Sequence, residues 1–119
     1  MLFRSTVLHN PNCGTSRTVL ESLRDAGIEV EVVQYLKTPL DEAALRTLLG
    51  QLADPPADLV RKDKRFGELG LDADDYTTVD AVVALLVEHP ELMQRPVVRS
   101  GRKAVIARPA TRALEFLGS

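Results

Sequence analysis

The only cysteine of the chain, Cys13, lies in a polar stretch whose position favours thiolate chemistry. The apolar run Phe3 to Leu8 is typical of a buried strand, and the residues from Thr15 onward have helical periodicity. We therefore expect Cys13 in a strand-to-helix turn, at the N-terminus of the helix. Unpaired backbone N–H groups and the positive end of the helix dipole stabilise thiolates and bind anions there. The sequence thus predicts a lowered pKa for Cys13.

The residues around Cys13 carry groups that a reactive thiol or a bound anion would use. His9, at the predicted strand end, offers the thiolate a positive charge or a hydrogen bond. Gly14 lets a ligand approach the backbone closely, and Ser16 and Arg17 bring a hydroxyl and a guanidinium to the same place. A lone cysteine is commonly a small buried apolar residue, but this polar turn has no need of one. We therefore predict a reactive thiol.

The composition is that of an ordinary globular domain and argues against several functions. The 119 residues are 45% hydrophobic and 27% charged, which suits one domain with a single core. A net charge of -2 and 4% aromatic residues disfavour binding to nucleic acid or to anionic membranes. One cysteine cannot form an internal disulfide, so we expect a cytoplasmic protein with a reduced thiol, acting as a monomer.

Hydrophobic periodicity predicts strands near both ends of the chain and helices between them. The helix after Cys13 stops at Gly27, and Ile28–Tyr35 alternates as a second strand. A right-handed crossover makes these two strands parallel. Residues 40–89 form a predicted helical insertion, with Arg61–Arg65 as a charged loop within it.

The last third of the chain returns to strands. Val97–Arg99 and Lys103–Ala107 flank the turn Ser100–Arg102 and predict a β-hairpin, and Arg108-Pro109 then starts a closing helix. The order β-α-β, helical insertion, β-β-α fits an α/β fold with a mixed four-stranded sheet and helices on both faces, which is a thioredoxin-like fold. In that fold the reactive cysteine follows the first strand, as Cys13 does.

Segments along nearly the whole chain resemble the glutaredoxin-dependent ArsC arsenate reductases in order and spacing. These segments are His9–Arg17, Tyr35–Pro39, Leu59–Lys62, Glu68–Leu71, His89-Pro90, Arg95–Val98 and Arg108-Pro109. The resemblance implies that Cys13 is the nucleophile and that His9 helps to hold it as a thiolate. The substrate-binding residues that it implies are Gly14, Thr15, Ser16, Arg61, Arg95 and Arg108.

Three arginines suit the implied substrate, because guanidinium groups pair bidentately with the oxygens of tetrahedral anions such as arsenate. Simpler interpretations remain open: Arg61 lies in a run of charges typical of solvated surface, while Arg95 and Arg108 precede prolines, which mark turns or strand ends. In thioredoxin-like folds the proline facing the cysteine is cis, and we expect Pro96 to be that residue.

The single thiol constrains the mechanism. Reduction of arsenate to arsenite takes two electrons, so a second thiol must come from another molecule. The resemblance implies an arsenate adduct on Cys13, attack by glutathione as co-substrate, and resolution of the mixed disulfide by glutaredoxin. Two histidines and one cysteine offer no ligand spacing for zinc, so we expect neither a metal nor a bound cofactor.

Three related classes of protein are alternatives to this reading. Phosphatase-type arsenate reductases use a Cys-x5-Arg loop, and here that spacing ends at Val19, so this class does not fit. Spx-like regulators, which bind RNA polymerase and often sense oxidants through Cys-x-x-Cys, remain open, although Ser16 replaces the second cysteine. A glutathione-dependent thiol reductase acting on mixed disulfides also remains open. The three candidate arginines favour arsenate reduction over both.

Overall fold

The computed structural model describes residues 5–118, so the expected strand start at Phe3 lies outside the described residues. The strands are β1 (Ser5–His9), β2 (Val30–Gln34), β3 (Val97–Ser100) and β4 (Lys103–Ile106). The helices are α1 (Gly14–Asp25), α2 (Glu42–Gln51), α3 (Lys64–Glu68), α4 (Val79–Glu88) and α5 (Thr111–Leu117). Short 3₁₀ turns lie at Pro56–Leu59, Ala73–Asp75 and Pro90–Leu92.

The strands form one mixed sheet in the order β2-β1-β3-β4. β1 runs parallel to β2, with His9 opposite Gln34, and antiparallel to β3, which in turn pairs antiparallel with β4. This arrangement confirms the predicted mixed four-stranded sheet. It also places the C-terminal ends of β1, β2 and β4 and the N-terminal end of β3 at the same edge of the sheet.

Successive residues of a strand point to opposite faces of the sheet. Both faces are apolar here, and helices cover each of them. Val7 and Val98 pack with α1 and α5, whereas their neighbours Leu8 and Val97 pack with α2 and α4. The group of buried residues that contains Leu8 and Val97 also includes residues of α3 and of the turn before it. The predicted helical insertion therefore shares its core with the sheet.

The loop after α2 covers the outer edge of β4, the last strand in the sheet order. Ala53 donates its N–H to the Ala104 carbonyl at 2.9 Å. Asp54 accepts a hydrogen bond from the Ile106 N–H at 2.9 Å and pairs with Arg112 of α5 at 2.8 Å. The strand edge is thus protected from pairing with another chain, and the insertion is fastened to the C-terminal elements.

The prediction of a charged loop over Arg61–Arg65 is wrong for its second half. α3 begins at Lys64, and Asp63 caps it by accepting the Phe66 N–H at 3.2 Å. The cap satisfies one of the N–H groups that a helix start leaves unpaired. A short helix is therefore stable in a segment whose charges predict exposure.

The closing helix begins at Thr111, later than predicted. The preceding residues are held along the sheet, since Ala107 donates its N–H to the Pro96 carbonyl and Arg108 donates to the Ile106 carbonyl, each at 2.9 Å. These bonds keep the chain non-helical through the cis Arg108-Pro109 bond.

Candidate active site

The candidate site lies at the sheet edge where the four strand ends meet. Asn10 and the turn to Cys13 follow β1, Tyr35 follows β2, Arg95 precedes β3 and Arg108 follows β4. The order and directions of the strands therefore bring residues that are far apart in the sequence to one edge of the sheet.

Cys13 is the N-cap residue of α1, as the sequence predicts. It has an extended backbone (φ -101°, ψ 122°), and the helix starts at Gly14. Its N–H donates to the Asn10 carbonyl at 3.0 Å, and its carbonyl accepts the Arg17 N–H at 3.0 Å. Gly14, Thr15 and Ser16 consequently form the first helical turn beside the thiol, where their N–H groups lack intrahelical partners.

The environment of Cys13 favours its thiolate. Burial raises the pKa of the thiol, whose residue is 8% exposed, but the Ser16 N–H and the guanidinium groups of Arg95 and Arg108 lower it. Burial is the largest single effect, but the lowering effects together outweigh it, and the pKa falls from 9.0 to about 7. Arg108 Nη1 lies 4.0 Å from the Cys13 Sγ. A larger fraction of the thiol is therefore ionised at neutral pH than in an ordinary cysteine, and the thiolate is the nucleophilic form.

Two of the three predicted arginines flank the thiol. Arg108 is exposed at the mouth of the site, and its Nη1 donates to the Arg95 carbonyl at 2.9 Å. Arg95 is partly buried, and its Nε has no hydrogen-bond partner. The Arg95-Pro96 peptide bond is cis, which confirms the prediction for Pro96. The guanidinium groups of Arg95 and Arg108 therefore both lie close to the Cys13 sulfur.

Arg61, the third predicted arginine, lies on the neighbouring segment. Its Nε donates to the Asp63 carboxylate at 2.8 Å. Its N–H donates to the Leu92 carbonyl, and Gln94 donates to the Leu59 carbonyl, each at 2.7 Å. These bonds run the Arg61 segment alongside the chain that leads into Arg95, but Asp63, and not Cys13, holds the Arg61 guanidinium.

His9 acts through a hydrogen bond and not through charge. Its Nδ1 shares a hydrogen bond of 2.6 Å with the Ser16 hydroxyl, which also accepts the Asn10 N–H at 3.1 Å. Burial and the nearby Arg17 lower the pKa of His9 below 6.5, so the imidazole is neutral at pH 7. The hydrogen bond that the structure gives His9 goes to Ser16, and His9 is not among the groups that shift the pKa of Cys13.

Ser16 and Arg17 occupy positions that differ in detail from the expectation. The Ser16 side chain is fully buried, and its contribution to the thiolate is its backbone N–H. Arg17 is exposed and donates to the Pro11 carbonyl at 2.8 Å. Both residues therefore stabilise the turn that holds Cys13.

Tyr35 is a site residue that sequence reasoning missed. It is 1% exposed, and its hydroxyl lies near enough to Arg95, Asn10 and Cys13 for each to affect its pKa. Its position in the sequence could have indicated this role, because the residues that follow two parallel strands lie at the same edge of the sheet. Tyr35 follows β2 as Asn10 follows β1.

Within residues 5–118, no group of three or more His, Cys, Asp or Glu side chains is arranged to hold a metal ion. No helix in this part of the chain has both the length and the apolar character needed to cross a membrane.

The mixed sheet, the cysteine at the start of the first helix and the cis Arg95-Pro96 bond before β3 define a thioredoxin-like protein. A family model described as the ArsC family matches residues 8–116, and the chain belongs to this family.

Named relatives span most of the chain. The uncharacterized protein YfgD of Escherichia coli K12 is 43% identical over 94% of this chain and 95% of its own length. An arsenate reductase of Escherichia coli is 38% identical over 94% of this chain and 79% of its own length. The solved structure of an arsenate reductase from Vibrio cholerae superimposes with a TM-score of 0.85 at 33% identity, covering 98% of this chain and all of that one.

Proposed function

We propose that this protein reduces arsenate to arsenite, with glutathione as co-substrate and glutaredoxin as the resolving partner. The observation that carries the proposal is a cysteine with a pKa of about 7 that is flanked by two arginines at a helix N-terminus. The thiolate supplies the nucleophile, and the guanidinium groups and helix N–H groups supply an oxyanion site. Relatives named arsenate reductases at 37–39% identity support the same conclusion.

In the first step, the Cys13 thiolate attacks arsenic. A bond forms between sulfur and arsenic, and one arsenate oxygen leaves as water after protonation. Arg95 and Arg108 balance the negative charge that this step concentrates on the remaining oxygens.

In the second step, the glutathione thiolate attacks the Cys13 sulfur and forms a mixed disulfide. The electron pair of the sulfur–arsenic bond stays on arsenic, which leaves as arsenite. Glutaredoxin then takes the glutathionyl group and returns Cys13 to the thiol form. Overall, two glutathione molecules supply the two electrons and become glutathione disulfide, so the single cysteine needs neither an internal partner nor a bound cofactor.

Arg61 belongs to this proposal as a third oxyanion ligand. Its backbone lies beside the segment that leads into Arg95, so a change of side-chain partner from Asp63 to an arsenate oxygen would bring a third guanidinium to the substrate. Gly14 and Thr15 complete the set through the N–H groups of the first turn of α1. A reduced thiol and external glutathione fit a monomer acting in the cytoplasm.

The test is arsenate-dependent oxidation of NADPH in an assay coupled to glutathione, glutaredoxin and glutathione reductase. We expect turnover by the wild type and none by Cys13→Ser, with unchanged circular dichroism. Arg95→Ala and Arg108→Ala should each lower kcat/KM at least tenfold, and Arg61→Ala should raise KM. Arg102→Ala, which alters an exposed arginine of the hairpin turn, is the matched control.

Partner proteins shown to be active with a known arsenate reductase make a negative result decisive. A folded wild-type protein that consumes no NADPH with arsenate contradicts the proposal. If the same protein reduces a glutathione mixed disulfide, its function is that of a thiol reductase.

A further inference from the structure

Two buried polar atoms near Cys13 lack hydrogen-bond partners. Among the described residues, the Tyr35 hydroxyl and Arg95 Nε are both shielded from water and unpaired. An unpaired buried polar group destabilises a protein, because it has lost its hydrogen bonds to water without gaining a partner. Such groups are uncommon, and two of them at one site call for an explanation.

The fold places these two atoms in the same neighbourhood. Tyr35 is the first residue after β2, and Asn10 is the first residue after β1, with which β2 pairs in parallel register. Arg95 lies before β3, close enough to the Tyr35 hydroxyl to lower its pKa. The hydroxyl therefore projects to the edge of the sheet that holds Cys13.

The Tyr35 hydroxyl has no partner that meets hydrogen-bond geometry. Asn10 and Arg95 lie close enough for their side-chain N–H groups to lower its pKa, but N–H groups are donors and leave the hydroxyl proton without an acceptor. Cys13 receives its stabilising contacts from the Ser16 N–H and the two arginines. The hydroxyl is left as a donor next to the reacting sulfur.

We propose that Tyr35 is a further substrate-contacting residue, whose hydroxyl donates a hydrogen bond to an oxygen of the tetrahedral oxyanion held by Arg95. This inference rests on the proposed arsenate reductase function and adds a neutral donor to its cationic site. The oxyanion supplies the acceptor that the protein alone lacks.

The protonation state of Tyr35 suits this role. Burial raises the pKa of the phenol above 10, with Arg95 acting in the opposite direction. The hydroxyl thus keeps its proton throughout the neutral range and remains a donor.

The decisive variant is Tyr35→Phe, which removes the hydroxyl and keeps the ring that packs in the core. A hydrogen bond to a charged group contributes about 1.5 to 3 kcal/mol, so we expect kcat/KM for arsenate to fall about 10-fold to 100-fold. Tyr76→Phe is the matched control, because Tyr76 is the other tyrosine of the chain and packs edge-on against Phe66 with ring centroids 5.9 Å apart.

Two further measurements separate a substrate contact from a structural role. Alkylation of Cys13 by iodoacetamide, a neutral reagent that needs no oxyanion site, should change less than twofold in Tyr35→Phe. The urea midpoint should stay equal or increase, because the variant removes an unpaired buried hydroxyl.

The possible outcomes distinguish the two proposals. If the wild type reduces arsenate and Tyr35→Phe matches it within twofold, the role of Tyr35 is overturned and the proposed function stands. If turnover and alkylation fall together, the hydroxyl serves the thiol and the inference is again overturned. If the wild type does not reduce arsenate, the proposed function fails and the inference fails with it.

Discussion

The reactivity of Cys13 results from opposing effects on one sulfur atom. Burial alone would raise its pKa, as it does for Tyr35. The Ser16 N–H and the two arginines reverse that effect, because a positive charge within a few ångströms favours the ionised form. The thiol is therefore controlled by residues more than 80 positions away as well as by its own helix.

The first prediction concerns the arginines as regulators of thiol ionisation. Arg95→Ala should raise the pKa of Cys13 above 7 by about one pH unit, and Arg108→Ala should raise it less, since Arg95 makes the larger contribution. The pKa can be measured from thiolate absorbance near 240 nm. Arg102→Ala should leave the titration unchanged, and equal curves for all three variants would contradict the assignment.

The second prediction concerns the effect of the Cys13 thiolate on stability. The unfolded chain holds the thiol proton up to about pH 9, whereas the folded chain releases it near pH 7. The folded state is therefore increasingly favoured as pH rises from 7 to 9, by about 3 kcal/mol at most, and this stabilisation is lost as pH falls through 7.

This stability effect is measurable by urea unfolding at pH 6, 7, 8 and 9. The wild type minus Cys13→Ser difference in the free energy of unfolding should grow with pH over that range. Taking the difference cancels the contributions of titrating groups that do not interact with Cys13. A difference that is flat with pH would mean that folding leaves the thiol pKa unchanged.

The residue types near Cys13 predicted a reactive thiol, but the sequence did not predict the protonation states and hydrogen bonds of the surrounding side chains. The helix N-terminus could be inferred because a strand and a helix flank one polar turn. The neutral state of His9 could not, because it depends on burial by the completed fold. The unpaired hydroxyl of Tyr35 could not either, since a tyrosine at a strand end has the same sequence signature as a core tyrosine.

At the scale of elements, the helices are defined by their first residues. Cys13 occupies the N-cap position of α1 without a side-chain cap, whereas Asp41, Asp63 and Thr78 cap α2, α3 and α4 with their side chains. The uncapped start leaves N–H groups available to an anion. Among the described helices, α1 and α5 both start without a side-chain cap, and α1 is the one whose N-cap residue is Cys13.

The third prediction tests a cap away from the site. Thr78 accepts the Ala81 N–H at 3.2 Å at the start of α4, whose buried face includes Val82 and Leu86. Thr78→Ala should lower the free energy of unfolding by about 1 kcal/mol without changing the thiol pKa. Thr77→Ala, one residue earlier and exposed, is the control in urea unfolding. Equal losses in both variants would contradict a capping role.

Local patterns account for most of the elements. The spacing of apolar residues predicted α1, α2 and α4, and the turn residues predicted the hairpin. α3 was obscured because lysine and arginine dominate its first residues, and its stability depends on the Asp63 cap and on burial of Phe66. The start of α5 depended on hydrogen bonds to the sheet, which local patterns do not contain.

At the scale of the whole molecule, the link between the insertion and the C-terminal elements depends on Asp54. Its two carboxylate oxygens serve the Ile106 N–H and the Arg112 guanidinium, which are 52 and 58 residues away. Arg112 also donates to the Ile106 carbonyl at 2.9 Å. Such pairings are invisible to periodicity, so the sequence did not predict them.

The fourth prediction removes this link. Asp54→Ala leaves the Ile106 N–H and Arg112 without their partner and should lower the free energy of unfolding by about 2 to 3 kcal/mol. Asp58→Ala, an exposed aspartate on the following turn, should cost less than about 0.5 kcal/mol. Urea unfolding followed by circular dichroism measures both, and similar losses would show that the link is dispensable.

The antiparallel return of β3 and β4 also sets an order of events during synthesis. The ribosome makes Cys13 first and its partner, Arg108, 95 positions later. A growing chain that lacks Arg95 and Arg108 carries a thiol without the cations that ionise it. The cations that ionise the Cys13 thiol thus arrive only with β3 and β4, so the lowered thiol pKa is a property of the folded chain and not of the segment around Cys13 alone.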